Sequence, residues 1–199
     1  TLISPHQAPG LYEAHGTEDF DDLYLKYEAD KTIPKKTVAA QDLFGDLLKE
    51  RAETGRIYIM NLDHCNSHSS FKDKVSMSNL CQEITLPTTP IQDIHDDQGE
   101  IALCILSAVN VGGLNDLGEL ENICDLAVRA LEQIIDYQDY PVKAAEVSTK
   151  KRRSLGIGYI GLAHYLAKHG AKYSDPKAWD LVDRLSEAFQ YHLLRASCN

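Results

Sequence analysis

Positive charge is scarce in this chain of 199 residues: 20 Lys and Arg stand against 30 Asp and Glu, a formal charge of −10. Phosphate backbones are gripped by clustered Lys and Arg, so no nucleic-acid partner is expected. The one basic run, Lys150-Lys151-Arg152-Arg153, is short, lies in a polar stretch and reads as a solvated turn. No apolar stretch approaches the about 20 residues that span a bilayer, and no signal peptide is visible, so no membrane partner is expected either. Paired cysteine spacings are also lacking. Five scattered cysteines, an odd number, favour reduced thiols and a cytoplasmic setting over a disulfide framework. Internal repeats and low-complexity segments are absent as well. Thr1 is not an initiator Met, and the helical run through Ser197, Cys198 and Asn199 has no Gly or Pro stop, so both ends read as truncated.

What is present suits a soluble globular domain: 43% hydrophobic and 25% charged residues, enough for one ordinary core. Residues 4 to 22, rich in Pro, Gly and acids, read as loop. Helical periodicity runs from 38 to 54 through Val38, Leu43, Leu47 and Leu48, with Gly55 placed to end it. RIYIMNL, 56 to 62, has strand composition and leads into a polar loop, 63 to 74. IALCILSAVNV, 101 to 111, is an apolar run of the kind found in strands covered on both faces. An amphipathic helix is predicted over 117 to 136 through Leu120, Ile123, Ala127, Leu131 and Ile134. A short strand at 154 to 160, a helix at 161 to 169 closed by Gly170, and a helix over 177 to 197 capped by Asp175 and Pro176 complete the pattern. Strands alternating with helices define an α/β fold.

The chemistry concentrates in SNLCQEI, 78 to 84. In an extended chain Asn79, Cys81 and Glu83 share one face, the thiol about 7 Å from each neighbour, with Leu80 and Gln82 on the other. A thiol that reacts, a carboxylate that accepts a proton and an amide that orients suit a substrate with adjacent hydroxyls. By spacing alone, a packed cysteine beside surface polar residues explains the triplet better. Cys104, inside the apolar run, reads as a buried structural thiol, and Cys124 as a core residue of its helix. Asp63, His64, Cys65 and His68 lack the second ligand pair of a zinc site and read as loop hydrogen-bonding groups, so no metal is expected. GIGYIG, 156 to 161, matches the dinucleotide fingerprint letter for letter, but STKKRRSL before it is too polar for a central strand and Asp175 serves better as a cap. Tyr137 and Tyr140, at a helix end before Pro141, read as packing residues with wet hydroxyls.

Six ordered blocks, SPHQAPGLYEA, ERAETGRIYIMNLDHCNSH, SNLCQEITLPT, GEIALCILSAVN, AVRALEQIIDYQDYP and RRSLGIGYIGLAHYLAKHG, resemble the large, catalytic subunit of class I ribonucleotide reductase. The resemblance implies part of a ten-stranded α/β barrel, built from two antiparallel five-stranded halves, with a central finger loop at about 76–87, a barrel strand at about 101–111 and surrounding helices. It makes the whole chain, 1–199, a partial catalytic barrel domain and turns GIGYIG into a barrel strand with its following helix. It implies that Cys81 becomes a thiyl radical and abstracts the 3′ hydrogen of a ribonucleoside diphosphate, that Glu83 takes the 3′ hydroxyl proton, that Asn79 binds the ribose hydroxyls, and that the backbone at Leu80 lines the same pocket. Cys104 matches one of the two thiols that deliver electrons and end as a disulfide, its partner lying outside these residues. The resemblance further implies a small, radical-generating subunit that supplies the radical from its metal-radical cofactor, re-reduction by thioredoxin or glutaredoxin, a large-subunit homodimer, ATP and dNTP effectors bound elsewhere, and no cofactor bound in this chain. Alone, the fragment is expected to be inactive. The alternative is a non-catalytic assembly piece of a split large subunit.

Overall fold

The computed structural model describes all 199 residues. They divide into two compact units, Thr1–Thr88 and Thr89–Asn199.

In the first unit a two-residue strand β1 (Leu2–Ile3) pairs antiparallel with β2 (Lys35–Lys36). Between them lie a helical turn α1 (Leu11–Ala14) and α2 (Asp19–Ala29). The helix α2 corrects the loop expected over 4 to 22: Asp19, Asp21 and Asp22 crowd its first turn, where carboxylates favour the positive end of the peptide dipoles. The predicted helix at 38 to 54 is observed as α3 (Ala40–Thr54), ended by Gly55 in the left-handed region at φ 66°. The strand expected at 56 to 62 is not formed. Residues 56 to 61 pair with no other strand, and a strand without a ladder partner has nowhere to send its backbone hydrogen bonds. The polar loop after it begins instead as a short helix, α4 (Leu62–Ser67).

The second unit holds the core. Strand β3 (Ile105–Asn110) runs parallel to β4 (Leu155–Ile160), with Ile105 opposite Leu155 and Asn110 opposite Ile160. Parallel neighbours need a crossover connection, here α5 (Leu120–Tyr137) and α6 (Lys143–Arg152). After β4 the chain turns at Gly161 into α7 (Leu162–Lys168), then continues to α8 (Pro176–Cys198), which packs along α5. Leu120, Cys124, Val128, Leu131 and Ile135 form the buried stripe of α5, at spacings of three and four. Cys124 is thus core, as predicted, whereas Ile134 of the expected stripe is exposed. Leu120, Cys124, Leu185 and Phe189 meet Val109, Ile157 and Tyr159 in one cluster. Fully burying each such apolar side chain contributes roughly 1.5–3 kcal/mol.

Other expectations are corrected here. The strand expected over 101 to 111 begins only at Ile105, and Leu106 and Ile160 are exposed, so the pair is covered on one face. The four strands make two two-stranded sheets, and no closed barrel forms within these residues. Asp175 starts α8 with Pro176 in its first turn, but its carboxylate accepts from Lys172 N–H at 2.8 Å and leaves the helix uncapped. Tyr140 donates to the Ile135 carbonyl at 2.7 Å, while Tyr137 is 91% exposed and packs on nothing.

The basic run is no solvated turn. Lys151 and Arg152 both hold the Glu100 carboxylate, Arg152 Nη2 at 2.5 Å, and Arg153 reaches Glu132 and Asp136. Lys150 pairs with Glu146 at 2.8 Å. Each cation of the run answers a carboxylate; Glu146 lies one helical turn before Lys150, whereas sequence order alone does not bring Glu100, Glu132 and Asp136 near the other three.

Candidate active site

The segment carrying Cys81 is fixed at both ends within the first unit. Asn66, on α4, uses its whole amide for this: Nδ2 donates to the Leu62 and Val75 carbonyls at 2.9 and 2.8 Å, and Oδ1 accepts from Val75 N–H at 2.8 Å. Val75 is fully buried, and so is Pro87 at the far end.

Between these anchors the chain closes on itself. Gln82 N–H donates to the Asn79 carbonyl at 3.1 Å, the closing bond of a turn whose central residues are Leu80 and Cys81. Asn79 N–H donates to the Ile84 carbonyl at 3.4 Å, and Ile84 N–H donates to Asn79 Oδ1 at 3.1 Å. Gln82 takes a left-handed conformation at φ 61°, uncommon for a residue with a side chain. The like-sided extended arrangement expected for Asn79, Cys81 and Glu83 is therefore overturned. A strand cannot hold a hydrogen-bonded turn in its middle, and 78 to 84 is a loop tip. The tip nonetheless presents Leu80, which is 84% exposed, together with exposed Cys81 and Glu83.

Closure also assigns the ends of the Asn79 amide. An N–H donor at Ile84 requires an oxygen, so Oδ1 faces inward and the two Nδ2 hydrogens remain for an acceptor outside the loop. The tip thus offers a thiol, a carboxylate and an amide donor on neighbouring residues.

Cys104 lies in the second unit, half-buried just ahead of β3, and is not the fully buried packing thiol that the apolar run suggested. The residues beside it are held firmly. Ile101 N–H donates to the Ala144 carbonyl and Ile105 N–H to that of Ser154, both at 3.2 Å. Asp63, His64, Cys65 and His68 do not converge. Asp63 and His64 lie 3.9 Å apart on the surface, His68 Nδ1 is within 2.9 Å of Ser67 Oγ, and no three His, Cys, Asp or Glu side chains gather as a metal site.

Sequence reasoning missed Asn66 and Glu100. Asn66 reaches the Leu62 carbonyl one turn back on its own helix, but its partner nine residues on is set by the fold. Glu100 stands in an exposed-looking acidic stretch, DIHDDQGE, that gives no hint of burial.

A parallel strand–helix–strand unit, joined in one chain to a closed thiol-bearing loop, is the class of structure these residues define. The family model for the ribonucleotide reductase barrel domain matches residues 1–199, and the chain belongs to that family. It is 57% identical to a ribonucleoside-diphosphate reductase subunit alpha of Haemophilus influenzae, over all of this chain and 27% of that relative. It is 54% identical to a ribonucleoside-diphosphate reductase 1 subunit alpha of Escherichia coli, over 99% of this chain and 26% of the relative. Identity to the subunit alpha of Enterobacteria phage T4 is 40%, over 99% of this chain and 26% of the relative. The chain spans about a quarter of the length of the curated relatives it matches.

Proposed function

We propose that this chain is the finger-loop portion of a ribonucleotide reductase catalytic barrel, and that in the whole protein it reduces ribonucleoside diphosphates to 2′-deoxyribonucleoside diphosphates. The observation that carries the reading is the closed tip, which holds Cys81 and Glu83 exposed beside the outward amide hydrogens of Asn79. The names of the relatives supply the substrate class.

Cys81 acts as a thiyl radical and takes the 3′ hydrogen of the ribose. Glu83 accepts the 3′ hydroxyl proton as the 2′ hydroxyl leaves as water. Asn79 donates through Nδ2 to the ribose hydroxyl oxygens, and the backbone at Leu80 completes the wall, so the reacting groups meet in one orientation. Cys104 and a second thiol outside these residues supply the two electrons. Overall, C2′–OH and two thiols become C2′–H, water and a disulfide, which thioredoxin or glutaredoxin reduces again. A metal-radical cofactor in a small subunit provides the oxidising equivalent that makes the thiyl radical. The finger loop spans about 76–87 of a ten-stranded barrel; effectors bind outside this segment, the large subunit is a homodimer, and the setting is cytoplasmic.

In the full-length enzyme, Cys81→Ser abolishes deoxynucleotide formation while nucleotide binding by calorimetry is retained. Appreciable turnover by that variant would sink the assignment. A second reading, a non-catalytic assembly piece of a split large subunit, is separated from this one by the mass of the native chain.

A further inference from the structure

GIGYIG, 156 to 161, has no part in the reading above, yet its first glycine meets the Cys104 thiol. In β4, Gly156 stands opposite Leu106 of β3. Ile157 and Tyr159 pack on the helical core, so Gly156 faces the other way. A Cβ at Gly156 would lie 3.1 Å from Cys104 Sγ, tighter than ordinary van der Waals contact, and 2.5 Å from Leu106 Cδ2. At Gly158, two residues on in the same strand, a Cβ would meet nothing within 4 Å. The motif is thus bare beside the sulfur for a reason that strand geometry alone does not supply.

We propose that Gly156 is a positioning residue for Cys104: its lack of a side chain keeps open the space beside Sγ in which the sulfur turns to join, and later leave, a second protein thiol. The inference rests on the reading of Cys104 as redox-active. In that step two S–H bonds break and one S–S bond forms. The two hydrogen atoms and their electrons go to the substrate, whose C2′–OH becomes C2′–H as water leaves. A methyl group at 156 crowds the sulfur, slows its attack and shifts the potential of the disulfide.

Two contacts compete to explain any effect at 156, and truncating Leu106 separates them. The test compares the unsubstituted full-length enzyme with Leu106→Ala, Gly156→Ala and the double variant. The readouts are iodoacetamide alkylation of pre-reduced Cys104, followed by peptide mass, and the midpoint potential of its disulfide in a glutathione titration. Cys81 in the same digest controls for general loosening. Alkylation of Cys104 is expected to slow about threefold or more in Gly156→Ala, and in the double variant relative to Leu106→Ala, with Cys81 unchanged. A double variant indistinguishable from Leu106→Ala would assign the effect to the leucine and overturn the proposal. Should the Gly156 variants fail to fold, adding Cys104→Ala to the Leu106→Ala, Gly156→Ala double variant decides: restored folding identifies the sulfur as the obstructed atom, and continued failure with both neighbours truncated rejects it. Turnover of the unsubstituted enzyme without external reductant keeps the two readings distinct. Cys104 still a thiol afterwards removes the redox reading and the proposal with it. Cys104 oxidised, with all variants alike, removes only the role of Gly156.

Discussion

A carboxylate taken out of water must find cations, and Glu100, only 6% exposed, finds two on one helix end. Burial pushes its carboxyl up, but the hydrogen bonds and charges of Lys151 and Arg152 outweigh that and hold it below the ordinary glutamate range. Arg152 is itself only 10% exposed, so losing the carboxylate strands a buried guanidinium. Glu100→Gln is therefore expected to lower the stability of the second unit by about 3 kcal/mol at pH 7, read by urea unfolding. A depressed folded-state pKa gives stability that is present above the unfolded value of about 4.3 and lost as pH falls through the folded value. The gap between parent and variant should accordingly narrow on acidification below about pH 4; a gap that stayed constant would remove the carboxylate as its cause. At the same scale, Asn79 uses its own N–H and both carbonyl oxygens to close the loop. That double duty is invisible in the letters N-x-C-x-E.

At the scale of elements, the join between β4 and α7 leaves no room for a side chain. Gly161 sits at φ 80°, and a Cβ there would fall 2.4 Å from Asn110 Oδ1 and 3.1 Å from Gly112 N. Gly161→Ala combines the left-handed penalty of about 1–2 kcal/mol with displacement of the Asn110 side chain, so a loss above that range is expected in thermal or urea unfolding. Gly113→Ala, where a Cβ meets nothing within 4 Å, provides the neutral comparison in the same unit. Equal losses at the two positions would show that close approach is not what the third glycine of GIGYIG serves. Helix α6 gives a pH signature of its own. Its Glu146, hydrogen-bonded by Lys150 and Lys143, has its carboxyl lowered to about 2. That half-buried group keeps its contribution above the ordinary glutamate range and loses it as pH falls from there toward about 2.

Across the whole molecule, apolar burial is uneven. The buried cluster lies entirely within 109 to 189, whereas α3 carries exposed Leu43, Phe44 and Leu48 and buries no residue. Local stability follows buried apolar contacts, so amides of β3, β4, α5 and α8 should exchange with solvent far more slowly than those of α2 and α3. Hydrogen exchange read by mass spectrometry on the 199-residue chain checks this. Comparable protection in α3 and α5 would contradict it.

Periodicity and punctuation were enough to read α3 with Gly55, β4, α7 and α8, because each is specified by residues within a few positions of one another. The triplet Asn79, Cys81 and Glu83 stood out as a candidate site for the same reason. Its geometry was not: whether 78 to 84 runs extended or turns depends on Asn66 pinning Val75 and on the loop closing through Asn79, which are choices of the folded chain. RIYIMNL had strand composition but no ladder partner, and composition cannot provide one. The same limit applies to charge. A run of four cations reads as solvated until the crossover brings Glu100, Glu132 and Asp136 to it, and to glycine, whose bare face has meaning only once Cys104 and Asn110 stand beside it. Local sequence set which residues carry polar, thiol and helix-forming character; only tertiary structure decided what each of them touches, because the partners lie from 5 positions away, at Asn79 and Ile84, to 52, at Glu100 and Arg152.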